Sequence, residues 1–269
     1  MMDERLKRQA NQSSEKLLSV FEKLILQGEP LRLIDLAEMV DMKNSTTSRF
    51  LTALINKGYV EQDKETLRYY PTYKICALAD RVRMHMDLRE IARPYMKQLS
   101  RIFGESACMS VEDHMHAVYI EIIRETNQRL MMVQNVGNEV PMHCTGNGKL
   151  LLLNYSDQDL DRLIRIEGLT KYTDNTITTK DDLKKELVAI RKRGYAFDNE
   201  EREVGTRCLA FPIYNSAGKI AAGLSVTGPV SRMTDEEIAP KLDEFRNISL
   251  EISRKLGYQV FETEENENG

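Results

Sequence analysis

The stretch from Leu31 to Tyr59, LRLIDLAEMVDMKNSTTSRFLTALINKGY, constrains the fold of this chain more than any other. It holds two short runs of helical apolar spacing, separated by three residues that break the period. Leu33, Leu36, Ala37 and Val40 give the first run one apolar face. Asp41-Met42-Lys43 form the turn. Asn44 is the expected N-cap of the second helix, because its side-chain oxygen can accept a backbone N–H that the first turn leaves free. Thr47, Phe50, Leu51, Leu54 and Ile55 make the inward stripe, and Gly58 suits the C-terminal stop. The other face carries Ser45, Thr46, Ser48, Arg49, Thr52 and Asn56, with Lys43 just ahead of it. Small, polar and basic residues are what a helix entering a DNA major groove requires. An ordinary solvated face has the same composition, so the flanking sequence has to decide.

The flanks favour DNA. Upstream, Ser14 precedes Leu17, Leu18, Val20, Phe21, Leu24 and Ile25, a third amphipathic helix able to cover the other two. Downstream, Tyr59-Val60 and Leu67-Tyr69 flank a polar tip, Asp63-Lys64-Glu65-Thr66, which predicts a hairpin. Three helices followed by a hairpin form a winged helix-turn-helix, and Lys64 and Arg68 would lie near a phosphate backbone. Residues 74–86 then read as a connecting helix, and Asp87 opens another with Leu88, Ile91, Tyr95, Leu99 and Ile102. Pro94 inside that pattern predicts a kink or an early turn.

Beyond Gly104 the signals change. SACMSVED, HAVYIEIIR and RLMMVQNV read as strands, and TGNGKLLLLNY as a short helix entered through glycines. Helices are expected over 157–166 and 180–193, strands over GTRCLAFPIYN and GKIAAGLSVTGP joined by a tight turn, and one long helix over 235–256. The fold class is therefore α+β, with a mostly antiparallel sheet in the second domain.

Several function classes fall away on composition. No apolar run approaches the roughly 20 residues of a membrane span, and the polar N-terminus has no secretion signal, so a cytoplasmic protein is expected. Cys76, Cys108, Cys144 and Cys208 are widely spaced without a CxxC pair, which argues for reduced, mostly buried thiols rather than a zinc ribbon or disulfides. The formal net charge of −4 argues against a general nucleic-acid coat. A specific reader needs only a local basic patch.

The residues resemble the IclR family of bacterial transcription regulators from Ser13 to Leu256. The likeness lies in Ser45 to Leu51 with Lys57-Gly58-Tyr59-Val60, and in four later blocks: PMHCTGNGK from Pro141, RGYAFDNEE from Arg193, GTRCLAFP from Gly205 and LSVTGP from Leu224. A helix-turn-helix alone is a weak signal, whereas these blocks in order are specific. The resemblance implies a winged helix-turn-helix over 13–73, a linker helix over 74–86, a GAF-like effector-binding domain over 87–258 and an acidic tail over 259–269. It implies a homodimer, in some members a dimer of dimers, on a double-stranded DNA operator, commonly repressing a catabolic operon in response to a small effector.

DNA contacts are expected from Lys43, Ser45, Thr46, Ser48, Arg49, Thr52, Lys64 and Arg68. The resemblance carries effector contacts to Gly146, Asn147, Asp198, Thr206, Cys208, Ser225 and Thr227. The family more often has aliphatic residues at Asn147 and Thr206, and often serine at Thr227. This chain's lining is thus expected to be more polar, suited to a small carboxylate or hydroxy acid. His114 and His116, two apart on one strand face, and His143 beside Cys144 are conceivable metal ligands, but polar surface is the better reading and no metal or cofactor is expected. Asp198-Asn199-Glu200-Glu201 with Glu203 reads as a solvated acidic loop. Without a nucleophile–histidine–acid arrangement the chain is not expected to be an enzyme. The alternatives are an enzyme, or a ligand-binding scaffold, whose helix-turn-helix is an appendage used for protein contact.

Overall fold

The computed structural model describes residues 12–85, 87–124 and 134–259, and the chain divides into two units, residues 1–86 and 87–269. In the first, helices α1 (Gln12–Leu26), α2 (Leu33–Met39) and α3 (Asn44–Asn56) precede a hairpin of β1 (Val60–Gln62) and β2 (Tyr69–Pro71) and then α4 (Lys74–His85). A helix of seven residues such as α2 is not stable alone. It is held by burying Leu36 and Ala37, with Leu36 packed among Val20, Leu24, Leu51, Leu54 and Val60. Each such leucine contributes about 1.5–3 kcal/mol. The turn between α2 and α3 uses Asp41 at φ 50°. Leu31 exchanges two backbone hydrogen bonds with Tyr69 (3.0 and 2.7 Å), tying the loop before α2 to the wing.

Two local expectations for this unit change. The N-cap of α3 is Lys43, which makes no side-chain cap, and Asn44 is already the first helical residue. Ile55, expected in the inward stripe, is 36% exposed. It lies at the far end of α3, where the core has already closed on Leu51 and Leu54. Gly58, at φ 72°, ends the helix as expected.

In the second unit α5 (Leu88–Phe103) is capped by Asp87, whose carboxylate accepts the Arg89 N–H. It runs unbroken through Pro94, which lies on the exposed side, where the carbonyl deprived of its partner can turn to water. Then follow β3 (Ser106–Asp113), β4 (His116–Ile123), β5 (Glu139–Pro141), α6 (Gly146–Leu151), α7 (Asp157–Glu167), α8 (Lys180–Arg193), β6 (Ala196–Asn199), β7 (Thr206–Tyr214) and β8 (Ile220–Pro229). The long last helix is instead divided: α9 (Asp235–Ile238), a 3₁₀ turn at Ala239–Lys241 containing Pro240, and α10 (Leu242–Lys255). Proline lacks the N–H that would continue α9 and starts a new turn. Most of RLMMVQNV and nearly all of the acidic tail lie outside the described residues, and 134–136 are not in a strand.

The six strands form one antiparallel sheet in the order β5-β4-β3-β8-β7-β6. Strand β6 was hidden in what reads as an acidic loop. Alternation along β8 separates the two faces of the sheet. Leu224 and Val226 join Leu209, Phe211, Met109 and Ala107 in a core completed by α5 and α10 through Met96, Leu99, Phe245 and Ile252. Ser225 and Thr227 face the other way, toward the side on which α6 packs.

Candidate functional site

Helix α3 contains no acidic residue. It exposes Ser45, Arg49, Thr52 and Asn56, with Lys43 and Lys57 exposed at its two ends and Thr46 and Ser48 half-buried. Thr47 is fully buried and its hydroxyl donates to the Lys43 carbonyl at 3.3 Å, so it belongs to the core. The Thr52 hydroxyl donates to the Ser48 carbonyl at 2.9 Å. Arg49 makes no ion pair or hydrogen bond among the described residues, so its guanidinium is available to a guanine edge or a phosphate.

The wing differs in charge. Lys64 is exposed at its tip, but Asp63 Oδ1 accepts the Thr66 N–H and hydroxyl (2.7 and 2.8 Å) and the Glu65 N–H (3.1 Å). Those bonds, the Thr66 N–H first, hold the Asp63 carboxyl below its ordinary pKa. Arg68 donates to the Pro30 carbonyl at 2.9 Å, and Glu61 accepts the Tyr70 hydroxyl at 2.9 Å. Lys64 therefore stands among Glu61, Asp63 and Glu65, and Arg68 is committed to holding the wing's base.

In the second unit all seven residues expected around an effector come together. A cavity of about 620 Å³ is lined by Asp198, Thr206, Cys208, Ser225 and Thr227 from the sheet, and by Thr145, Gly146 and Asn147 at the start of α6. Tyr119, Gln134, Asn138 and Val140 supply more of the wall, with exposed Arg202 and Glu203 at the rim. Among the described residues Val140 is the lone aliphatic side chain in this lining. Close approach of α6 to its supports depends on two glycines. A Cβ at Gly148 would come within 2.4 Å of the Met142 backbone, and one at Gly223 within 2.8 Å of the Asn147 side chain. Thr145 caps α6 by accepting the Gly148 N–H at 3.3 Å, and Asn147 Nδ2 donates to Ser110 Oγ at 3.0 Å.

In the acidic segment at the cavity's edge Asn199 and Glu203 are exposed, as expected of a solvated loop, but Asp198 (5% exposed) and Glu201 (7%) are buried. Asp198 Oδ1 accepts the N–H groups of Glu201 (2.9 Å) and Arg202 (3.4 Å), closing a turn after β6. Burial pushes its carboxyl up to about 7, the Glu201 charge adding to the effect and those backbone bonds opposing it. Glu201 is itself raised by burial, against the pull of Lys149, whose ammonium is 1% exposed and lies 2.5 Å from Glu201 Oε1. Glu186 stands 3.8 Å from the same ammonium and 2.6 Å from Arg193. The hydroxyls of Thr173 and Thr176 each donate at 2.6 Å to the carbonyls of Glu200 and Glu201. The turn that presents Asp198 and Arg202 is thus fixed from beneath.

The winged unit and the sheet-bearing unit both match known proteins. Residues 81–254 match the model of the bacterial transcriptional regulator IclR C-terminal domain, and residues 13–64 that of the IclR helix-turn-helix domain. The chain belongs to the IclR family. It is 35% identical to the HTH-type transcriptional regulator BhcR of Paracoccus denitrificans, covering 86% of this chain and 82% of that one. It is 32% identical to the transcriptional repressor IclR of Escherichia coli, covering 84% and 83%. The crystal structure of the Thermotoga maritima IclR superposes with a TM-score of 0.60 at 32% identity, over 92% of this chain and 99% of that one. Like these relatives, this IclR-family chain is a DNA-binding transcription regulator, and its α+β architecture is the family's.

Sequence reasoning missed the buried Lys149–Glu201 pair, as well as Tyr119, Thr145 and Arg202 in the cavity wall. A signal for the first existed: Lys149 sits in the apolar run KLLLL, where a lysine requires a buried partner. The histidines are also placed differently from expectation. His114, at φ 47°, occupies the two-residue turn between β3 and β4 rather than a strand face; it pairs with Asp113 (2.8 Å), while His116 lies 3.3 Å from Glu167. His143 stacks on Tyr172 and meets the Thr170 carbonyl at 3.1 Å, with burial holding its pKa below the ordinary value. Among the described residues no group of three His, Cys, Asp or Glu side chains is placed to hold a metal, and no helix is long and apolar enough to cross a membrane.

Proposed function

We propose that this regulator acts in the cytoplasm as a homodimeric repressor of a catabolic operon, released or tightened on DNA by a small carboxylate metabolite bound in the 620 Å³ cavity. One observation carries the sensing half: one cavity gathers hydroxyls, amides and the buried Asp198 carboxyl on the sheet face turned toward α6. That lining matches a ligand rich in polar groups. A rim guanidinium, Arg202, lying 4.0 Å over the Tyr172 ring, supplies a fixed positive charge for its carboxylate. Support for repression comes from the Escherichia coli relative, a transcriptional repressor.

For the output half, α3 would enter the major groove with Ser45, Thr46 and Ser48 against phosphates and Arg49 reaching a base edge, the two helices of a dimer standing about 34 Å apart or a multiple of it. Helix α4 would carry the change in cavity occupancy to the winged unit. The linkage is reciprocal: an acid that weakens DNA binding must bind the DNA-bound form less tightly by the same factor. The test is a thermal-shift panel of small hydroxy and keto acids against apolar aromatics, followed by gel shifts on the gene's own promoter. Stabilisation by polar acids and an acid-sensitive shift support the reading; stabilisation by large apolar aromatics alone overturns the ligand class. Recovery of a chemically altered acid after long incubation would favour an enzyme.

A further inference from the structure

The cavity poses an electrostatic problem for an acidic ligand. Among the described residues its lining contains two carboxyls, Asp198 and Glu203, against one guanidinium, Arg202. Glu203 and Arg202 are exposed at the rim, where solvent and each other's charge moderate both. Asp198 is buried inside, and among the described residues the cation whose charge reaches it, Lys149, is shared with Glu201. From β7, Cys208 lies opposite it in register, and its thiol is pushed up to about 11 by burial. From the segment before α6, burial likewise pushes Cys144 up to about 12. The Tyr119 phenol of β4 is pushed up too. These three groups stay neutral near pH 7. Lys149 of α6 is engaged by Glu201, a neighbour in the turn, and Asp198 makes no ion pair among the described residues.

We propose that a carboxylate ligand enters this cavity together with a proton held on Asp198, so that the ligand's anion is received by a carboxylic acid. The inference rests on the reading of the cavity as the site of a small acid. One Asp198 oxygen keeps its backbone N–H partners; the other bears the O–H that donates to the ligand. Solvent supplies the proton, and binding takes up close to one proton per site wherever Asp198 is ionised in the free protein. The regulator then responds to the product of acid concentration and proton activity. A raised cytoplasmic pH blunts the response.

The full-length protein with ¹³C-labelled aspartate Cγ, assigned through Asp198→Asn, reports the carboxyl directly. Glycolate, glycerate and gluconate are titrated calorimetrically at pH 6 and pH 8 in two buffers of different ionisation enthalpy. Asp198 should titrate near neutral pH, and affinity for whichever acid binds should fall about tenfold between pH 6 and pH 8, with proton uptake near one at pH 8. Asp198→Asn should bind, if more weakly, with an affinity that does not change over this range. Titration of Asp198 below pH 5, a pH-independent affinity in the unaltered protein, or the same fall in the asparagine variant overturns the inference while leaving the cavity reading intact. Failure of all three acids to bind at pH 6 removes the carboxylate reading, and this inference with it.

Discussion

The face of α3 and the polar face of the sheet are built from the same residue types, yet they serve opposite ends of the protein. Ser45, Thr46 and Ser48 stand at or near solvent, on a helix that has no acid and an uncommitted arginine. Ser225, Thr227, Thr206 and Cys208 are sealed between a sheet and a helix, with two buried carboxyls close by. The difference lies in what remains for a partner to satisfy. Exposed hydroxyls already bond to water, so DNA binding there exchanges partners and depends on counterion release. Buried groups have lost water, so a ligand is selected by how well it replaces the missing bonds.

The comparison breaks most visibly at the cavity's support. Lys149→Met leaves Glu201 buried without its cation and should cost about 3 kcal/mol of stability, read by urea denaturation. A loss under 1 kcal/mol would mean that the pair does not fix the turn. On β8, Leu224→Ala on the core side should cost about 2–4 kcal/mol, whereas Ser225→Ala, one residue away, should leave stability nearly unchanged and weaken ligand binding. Arg49→Ala should lower operator affinity by about 10- to 100-fold in a gel shift, and equal loss on non-operator DNA would assign it to phosphate instead of a base.

Asp198→Asn separates the regions by pH. A carboxyl raised from 3.8 to about 7 holds its proton more tightly folded than unfolded. Its contribution to stability is full below pH 3.8 and is lost as pH rises toward 7. The variant should therefore gain on the unaltered protein in melting temperature as pH rises from about 4 to 8, and a difference that stays constant over that range would refute the buried charge. The smallest effect is expected at the wing: Lys64→Ala should reduce the salt slope of DNA binding by about one or less, because Glu61, Asp63 and Glu65 surround it.

The helix-turn-helix was legible because its logic is local. Apolar spacing, the break at Asp41 to Lys43 and Gly58 all lie within thirty residues. Local reading erred at a cap and at prolines, and most where neighbours from afar decided. Asn44 yielded the cap position to Lys43. Pro94 did not end its helix, since the affected side is exposed, while Pro240 divided one. Asp198 and Glu201 looked like a solvated acidic loop because nothing nearby in sequence reveals that Thr173 and Thr176 clamp the turn from one side and Lys149 from the other.

The sequence by itself determined the family, the division into two units and the faces of most helices and strands, because periodicities of 3.6 and 2 are properties of the chain. Tertiary structure decided which polar residues are buried. Strands β6, β7 and β8 and helix α6 come from segments up to eighty residues apart, and only their assembly removes water from Asp198, Thr206, Cys208, Ser225 and Thr227. Desolvation is set by the neighbours a fold supplies, and it turned a string of ordinary polar residues into a site with a carboxyl poised to hold a proton.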